Sequence, residues 1–343
     1  MRALVLEEYH KLLYEEVPDP RLAHDEVLLE VKACGICGSD VHGLDGSTGR
    51  RIPPLIMGHE ASGVIAQVGE AVQGFKPGER VTFDSTVWCG ECWHCRRGEV
   101  NLCEHRRVLG VSCAEYRCHG AYAEYVSVPS RILYRIPDEV GFSSAAMVEP
   151  LSVAMHAVRL ARPEIQETAV VIGAGTIGLF VLQCLKASGC ASVLVADVDP
   201  NKLGRARECG AELALDPAAP AFAEAVLSRT NGRGADMAIE AVGLGAALQS
   251  ALSSVRKGGR VVLVGNLSPK VDIPLQAVVS RQISLIGSCA SQGEYPACLE
   301  LLASGKLRLD PILSAEAPLA EGAAWFDRLY RRDPRLMKVI LKP

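Results

Sequence analysis

The sequence predicts an α/β protein in two parts, a β-rich domain with irregular loops followed by a doubly wound parallel sheet. Three observations carry this expectation. From Met1 to about Leu133, short alternating segments such as EVLLEVKA, ASGVIAQVG, ERVTF and AYAEYVSVP are separated by Gly, Pro and Asp. From about Pro150 the rhythm changes to strands and helices in alternation, the pattern of a parallel sheet with crossover helices. At 343 residues, 49% apolar and 22% charged, the chain is long enough for about two domains with their own cores.

In order along the chain, Phe75-Lys76-Pro77-Gly78-Glu79-Arg80 is a turn feeding a strand. Thr168 to Asp197 reads as strand, glycine turn, helix, strand and terminal acid, with Ile177, Val181, Cys184 and Leu185 at helical spacing. Asp199-Pro200 caps the next helix and Gly210 ends it. Further strands are expected at ELALD, ADMAIEAV, GRVVLVG and QISLIGS, which makes six in the sheet. Glu294 to Leu307 reads as a helix leading out of that sheet, and RLMKVILKP as a last strand returning to the first domain.

The glycine turn is where function first shows. Gly173, Gly175 and Gly178 follow a β-branched apolar run and open a helix. The first allows a tight turn, the second a close backbone approach to a pyrophosphate, and the third close packing of helix on strand. Thr176 and Ile177 begin the helix whose N-terminus would face the anion. Asp197, at the end of the second strand, is placed to bond a ribose 2′-hydroxyl and to repel a 2′-phosphate, so NAD is expected over NADP. Thr168 to Leu185 is also an uncharged run long enough to raise the question of a membrane span. Its glycines and the βα pattern around it argue against one.

The totals narrow the function classes. A net charge of −4 without a basic stripe gives no footprint for nucleic acid or an anionic membrane. The N-terminal MRALVLEEYHKLLYEEV has acidic and alternating apolar residues where a secretory leader has a basic head and an apolar run, so a cytoplasmic protein is expected. Thirteen cysteines are many for a reducing compartment and odd in number, which favours metal binding over a disulfide framework.

Cys89, Cys92, Cys95 and Cys103 form a CxxCxxCx7C array in a loop with Gly90 and Gly98, suited to one tetrahedral zinc with no position left for water. His94 and His105 lie nearby as alternative ligands, although exposed loop positions are their simpler reading. A second, dispersed set comprises Cys37 in GICGSDVH, His59 and Glu60 in MGHE, and Glu149 in VEPLS. Mixed Cys, His and carboxylate ligands are how a catalytic zinc keeps an open position. Each residue also has a plain structural reading: a buried thiol, a loop histidine, a surface charge, a helix N-terminal acid.

GICGSDVH, GHE followed by SGV, the four-cysteine lobe, EPLSVAMHA and GAGTIG occur in that order. The chain thereby resembles, over nearly its whole length, the zinc-dependent medium-chain dehydrogenase/reductase family, and most its polyol dehydrogenase branch. The resemblance implies a GroES-like catalytic domain over residues 1–149, a Rossmann NAD-binding domain over 150–290 and a return segment over 291–343. It also implies one catalytic and one structural zinc per subunit, NAD as cofactor, a small-molecule alcohol as substrate, and homodimers or homotetramers. Cys37 and His59 match metal ligands, and Glu60 and Glu149 match acids that bind the zinc directly or through water and can exchange during turnover. Asp40 matches the carboxylate that orients the ligand histidine. Ser39 matches the hydroxyl that receives the substrate proton, and His42 the next member of the relay. Ile177, Lys202, Val264 and Gly265 match positions that touch NAD, whereas His156 reads as a packed helix residue. Sorbitol dehydrogenases place an aromatic residue directly after the relay histidine and an Arg-Tyr pair after the last sheet strand. Here those positions are Gly43, Ala290 and Ser291, and the motif run, including Ile286 to Ser288, is also similar to galactitol-1-phosphate dehydrogenases. Smaller side chains imply a bulkier or phosphorylated sugar alcohol.

The expected function is therefore NAD-linked, zinc-dependent oxidation of a secondary alcohol on a polyol, sugar or polyol phosphate to a ketone. A threonine- or butanediol-type dehydrogenase shares the scaffold and most ligands. A non-catalytic dinucleotide-binding protein is the alternative of another class, and an intact Cys37, Ser39, His59 and Glu149 count against it.

Overall fold

In the computed structural model, which describes residues 1–343, the chain forms two compact units. Residues 1–149, 292–305 and 313–343 make one, and residues 150–291 and 306–312 the other.

The main sheet of the first unit runs in the order Leu133–Arg135, Arg80–Phe83, Glu60–Val68, Glu26–Gly35, Lys338–Lys342, Leu313–Pro318, with Tyr125–Pro129 also paired to Glu26–Gly35. Glu26–Gly35 alternates half-buried and buried residues and then buries its last three positions, so its end enters the interior. Leu29, Ile65, Phe83, Val128 and Leu341 form part of the core around it. The apolar segment near the C-terminus does return to this sheet: Ile340 and Leu341 pair with Gly35 and Cys34. On the other side Gly35 pairs with Glu60. Three distant parts of the sequence therefore meet at the end of one strand.

The second unit holds a six-stranded parallel sheet in the order Leu213–Leu215, Ser192–Ala196, Thr168–Ile172, Ala235–Glu240, Val255–Leu263, Ser284–Gly287. The strands Thr168–Ile172, Ser192–Ala196 and Ala235–Glu240 are buried at every residue, as strands covered on both faces must be. Each fully buried Val, Leu or Ile there contributes on the order of 2 kcal/mol. The uncharged run from Thr168 breaks at Gly173 into a strand and the helix Thr176–Ala187, and no helix is long and apolar enough to cross a membrane. Asp199 caps Pro200–Glu208 by accepting from the Asn201 N–H at 2.9 Å.

Several boundaries differ from the sequence reading, among them the helix expected over Glu294 to Leu307, which spans Tyr295–Ala303. The fifth strand begins at Val255, four residues before the expected GRVVLVG. Within the expected return segment, Lys306–Ile312 groups with the second unit, because the Gln183 amide receives the Arg308 N–H at 2.6 Å and donates to the Arg308 carbonyl at 3.1 Å.

The three glycines of the turn separate by cause. A Cβ on Gly178 would fall 1.8 Å from the Gly173 carbonyl oxygen, so Gly178→Ala must push helix from strand. That overpacking is expected to cost about 1–3 kcal/mol and several degrees of thermal midpoint. A Cβ on Gly175 meets no atom within 4 Å, and its φ of −75° suits any residue. Thermal unfolding without cofactor should therefore leave Gly175→Ala at the parent midpoint; equal midpoints for both variants would show that the helix yields freely.

Candidate active site

Glu26–Gly35 ends just before Cys37, whose extended backbone precedes the helix Gly38–Gly43 and whose carbonyl accepts from the Asp40 and Val41 N–H groups at 3.0 and 3.2 Å. The Gly35–Glu60 pairing brings the chain around Cys37 beside His59 and Glu60. The ligand atoms of these three residues all lie within 4.8 Å of one another. His59 and Glu60 are buried and Cys37 is half-buried, so the set opens on the Cys37 side. Thiolate, imidazole and carboxylate are the donor types zinc takes, and three protein ligands leave it a position for another group. A Cβ on Gly35 would fall 2.2 Å from Glu60 Oε2, so the glycine makes room for the carboxylate.

Glu149 stands outside this trio. It lies in the first turn of Val148–Ala161, where Oε1 accepts from the Ser85 hydroxyl at 3.1 Å. Burial, aided by the Glu60 and Asp84 charges and opposed by His59, pushes its carboxyl up to about 7. Glu60 is held by Lys338, whose buried Nζ donates to its two oxygens at 2.8 and 2.6 Å and to the Ile36 carbonyl at 3.0 Å.

Behind His59 lies a buried network. Asp40, fully buried, places Oδ2 3.4 Å from His59 Nδ1, beyond good hydrogen-bond length, and accepts from the Tyr122 hydroxyl at 2.9 Å. Its Oδ1 accepts from Arg51 Nε at 2.9 Å and lies 2.7 Å from Arg51 Nη2. Burial alone would raise this carboxyl, but the His59 and Arg51 charges reverse that and hold it well below the usual carboxylate range. Ser39 Oγ donates to Cys37 Sγ at 3.3 Å and accepts from Arg51 Nη2 at 3.2 Å. His42 is half-buried one turn further along the helix, and no hydrogen bond joins its ring to Ser39.

Arg51, Tyr122 and Lys338 were not found by sequence reasoning. Lys338 left a signal, a lone charge inside the apolar LMKVIL, which calls for a buried partner. Arg51 and Tyr122 left none. The room expected from Gly43 is also taken: a Cβ there would fall 2.2 Å from Arg51 Cγ, so the arginine stem occupies the space next to it. Ser291 is buried, and Ala290 takes a left-handed φ of 50°.

The four-cysteine lobe is compact. The four sulfurs lie within 4.8 Å of one another, and Cys89 and Cys95 Sγ are 3.9 Å apart. Zinc–sulfur bonds of roughly 2.3 Å put tetrahedral sulfurs about 3.8 Å apart, so the array fits one zinc. Peptide N–H groups of Cys95 and Glu104 pull the Cys92 thiol down to about 6, while burial pushes Cys95 up to about 12. His94 is engaged by Glu99 at 2.9 Å and His105 is exposed, so neither joins the set.

In the second unit, parallel register sets Ile172, Ala196, Glu240 and Leu263 level, which brings Gly173, Asp197, Val264 and Gly265 to one end of the sheet. That end, where the strand order reverses, is where such sheets bind ligands. Gly173 has a φ of +99°, which a side chain would strain. The empty surroundings of Gly175 contain no protein atom that requires a glycine, as expected if a ligand approaches there. Asp197 also braces the turn, accepting from the Ala174 N–H at 2.7 Å and the Asp199 N–H at 2.9 Å. The N–H groups of Val264 and Gly265 go to the Glu240 carbonyl at 2.8 and 3.1 Å, and a Cβ on Gly265 would fall 2.0 Å from the Gly243 nitrogen. Gly265 is thus required by packing, whatever it contacts besides. Thr176 and Ile177 open their helix half-buried, as is Lys202 in Pro200–Glu208, and His156 is buried.

A GroES-like domain, a Rossmann domain, a four-thiolate lobe and a Cys-His-Glu set together define a zinc-binding dehydrogenase. Comparison with known proteins agrees: residues 23–138 match the alcohol dehydrogenase GroES-like domain, and residues 176–304 the zinc-binding dehydrogenase domain. The chain is 34% identical to sorbitol dehydrogenase of Bacillus subtilis, covering 100% of this chain and 97% of that protein. It is 33% identical to D-arabitol-phosphate dehydrogenase of Enterococcus avium over 94% of this chain and 91% of the other. The crystal structure of galactitol-1-phosphate dehydrogenase from Escherichia coli superposes with a TM-score of 0.92 at 26% identity, covering 100% of both chains. Other similar solved structures hold NADP or NADH. The chain belongs to the zinc-dependent medium-chain dehydrogenase/reductase family. Within it, the protein is a zinc-containing alcohol or polyol dehydrogenase that uses a nicotinamide dinucleotide.

Two separate donor sets predict two zinc ions per chain by elemental analysis. Cys92→Ser should leave one and lower the thermal midpoint, because the lobe has little core besides its metal. Cys37→Ser should also leave one but stay near the parent midpoint; two ions retained by either variant would refute the assignment.

Proposed function

We propose that this enzyme oxidises a secondary alcohol of a polyol, sugar or polyol phosphate to a ketone with NAD. The observation that carries this reading is the Cys37-His59-Glu60 trio with the Ser39 hydroxyl against the Cys37 sulfur. When bound, zinc at these residues supplies Lewis acidity toward a substrate hydroxyl, and NAD in the second unit supplies the hydride acceptor. Ser39 Oγ takes the proton released from that hydroxyl, and its own proton passes to His42 through an intervening hydroxyl or water. Asp40 Oδ2, 3.4 Å from His59 Nδ1, is placed to orient that ring. Lys338 holds Glu60 in place, leaving Glu149 as the carboxylate that can approach or leave the metal. On this reading Glu60 and Glu149 both serve the zinc, and Gly173, Gly175, Thr176, Ile177, Gly178, Asp197, Lys202, Val264 and Gly265 line the cofactor.

Three features bear on the details. Asp197 at the strand end favours a ribose hydroxyl over a 2′-phosphate, so NAD should be preferred to NADP, and Asp197→Asn should narrow the preference. The relatives named for sorbitol and for polyol phosphates support a polyol chain as substrate. The helix Leu275–Ser280 buries no residue, Leu275 and Val279 are 69% and 70% exposed, and the adjacent Ser284–Gly287 is an edge strand. Such an apolar face beside an unpaired edge suits a second copy, so the protein assembles at least as a homodimer.

The test of function is NADH formation by zinc-replete protein against free polyols, polyol phosphates, sugars, diols and threonine, with a chelator control. Chelator-sensitive turnover of polyols or their phosphates is expected. Activity confined to threonine or diols would move the enzyme to the neighbouring branch. Cys37→Ser should abolish turnover and spare NADH binding. Light scattering should show the Leu275→Asp/Val279→Asp protein as a smaller species than the parent; an unchanged mass would place the interface elsewhere.

A further inference from the structure

The role of Arg51 rests on the proposed function, in which Ser39 takes the substrate proton. The Ser39 hydroxyl has two neighbours, Cys37 Sγ at 3.3 Å and Arg51 Nη2 at 3.2 Å. A guanidinium has donors only and keeps its protons, so Ser39 Oγ is the acceptor from Arg51. One lone pair is thereby used, the O–H is turned to the Cys37 sulfur, and one lone pair is left for a substrate.

Arg51 is itself immobilised. It is 4% exposed, with Nε 2.9 Å and Nη2 2.7 Å from Asp40 Oδ1 and Nη1 donating to the Arg50 carbonyl at 3.0 Å. Its Cβ and Cγ lie over Gly43, where a side-chain carbon would come within 3.0 and 2.2 Å of them. Gly43 has no positive φ, and the stem of Arg51 is what requires it to be bare. With four of its five N–H donors engaged within the chain and its side chain buried, this arginine is a poor hook for a substrate phosphate.

We propose that Arg51, seated on Gly43 and anchored by Asp40, is a positioning residue that fixes the Ser39 hydroxyl for proton transfer. In the step it supports, the substrate O–H bond breaks as an O–H bond forms at Ser39 Oγ, and the original Ser39 proton leaves its contact with Cys37 Sγ and passes to His42 through an intervening hydroxyl or water. Arg51 gains and loses nothing, and its fixed charge favours the hydroxyl oxygen at the moment it is least protonated.

The test uses the full-length holoenzyme with Arg51→Lys and Gly43→Ala, each alone and combined with Ser39→Ala. Lysine keeps a cation for Asp40 but has one nitrogen where the fork has several, and the alanine methyl meets the Arg51 stem first. Each change alone should lower kcat about ten- to a hundredfold with KM little altered, since a misplacement of about 1 Å can cost up to about a hundredfold. In the Ser39→Ala background neither should lower it further. A second readout needs no turnover: with Co(II) in the catalytic site, the Cys37 sulfur-to-cobalt charge-transfer band should shift in the same direction in Ser39→Ala and Arg51→Lys. The double variant should show no additional shift. Equal losses with and without Ser39, or no loss and no band shift in Arg51→Lys, would overturn the proposal. Full activity of Ser39→Ala by itself would instead overturn the assignment of the substrate proton to Ser39.

Discussion

The site depends on keeping one carboxylate charged where no water reaches it. Asp40 is fully buried, and an isolated carboxylate in that position would take up a proton before it would hold a histidine. Arg51 and Tyr122 prevent this by filling its lone pairs, and the remaining direction faces His59. Breaking such an arrangement by removing one partner is far more damaging than never having built it, by about 3–5 kcal/mol for a buried ion pair. The metal trio therefore inherits its geometry from a network that does not itself bind metal.

The glutamate of the trio and its neighbour Glu149 have been given opposite surroundings. Glu60 sits against a buried ammonium that favours its charge, whereas Glu149 has a serine hydroxyl and an environment that pushes its carboxyl up to about 7. One is gripped by a buried ammonium, while burial pushes the carboxyl of the other up. The sequence alone leaves the two interchangeable, and the difference comes from Lys338 and Ser85.

Much of the fold and the ligand types were legible because they rest on local rules. Strand, glycine turn, helix and acid between Thr168 and Asp197 are set by periodicity and by what a glycine permits, and CxxCxxC spacing reflects how a short loop wraps a metal. The dispersed trio was legible only through family resemblance, since Cys37 and His59 are joined by strand pairing and not by spacing. Arg51 was hidden for a related reason: it acts eleven residues from Asp40 through a fork whose direction depends on how the intervening loop turns. The absence of a side chain at Gly43 is no measure of substrate room, because a small residue can be required by a neighbour as well as by a ligand.

The pairing of Glu60 with Lys338 spans 278 residues of sequence. During synthesis the carboxylate is made early and its counter-charge only after the whole parallel sheet of the second unit has been translated. Until then the end of Glu26–Gly35 lacks the neighbour that Lys338–Lys342 provides, and Glu60 has no cation to be buried with. The catalytic trio is thus among the last features a nascent chain can close, whereas the four-cysteine lobe, complete by Cys103, can take its metal while most of the protein is still unmade.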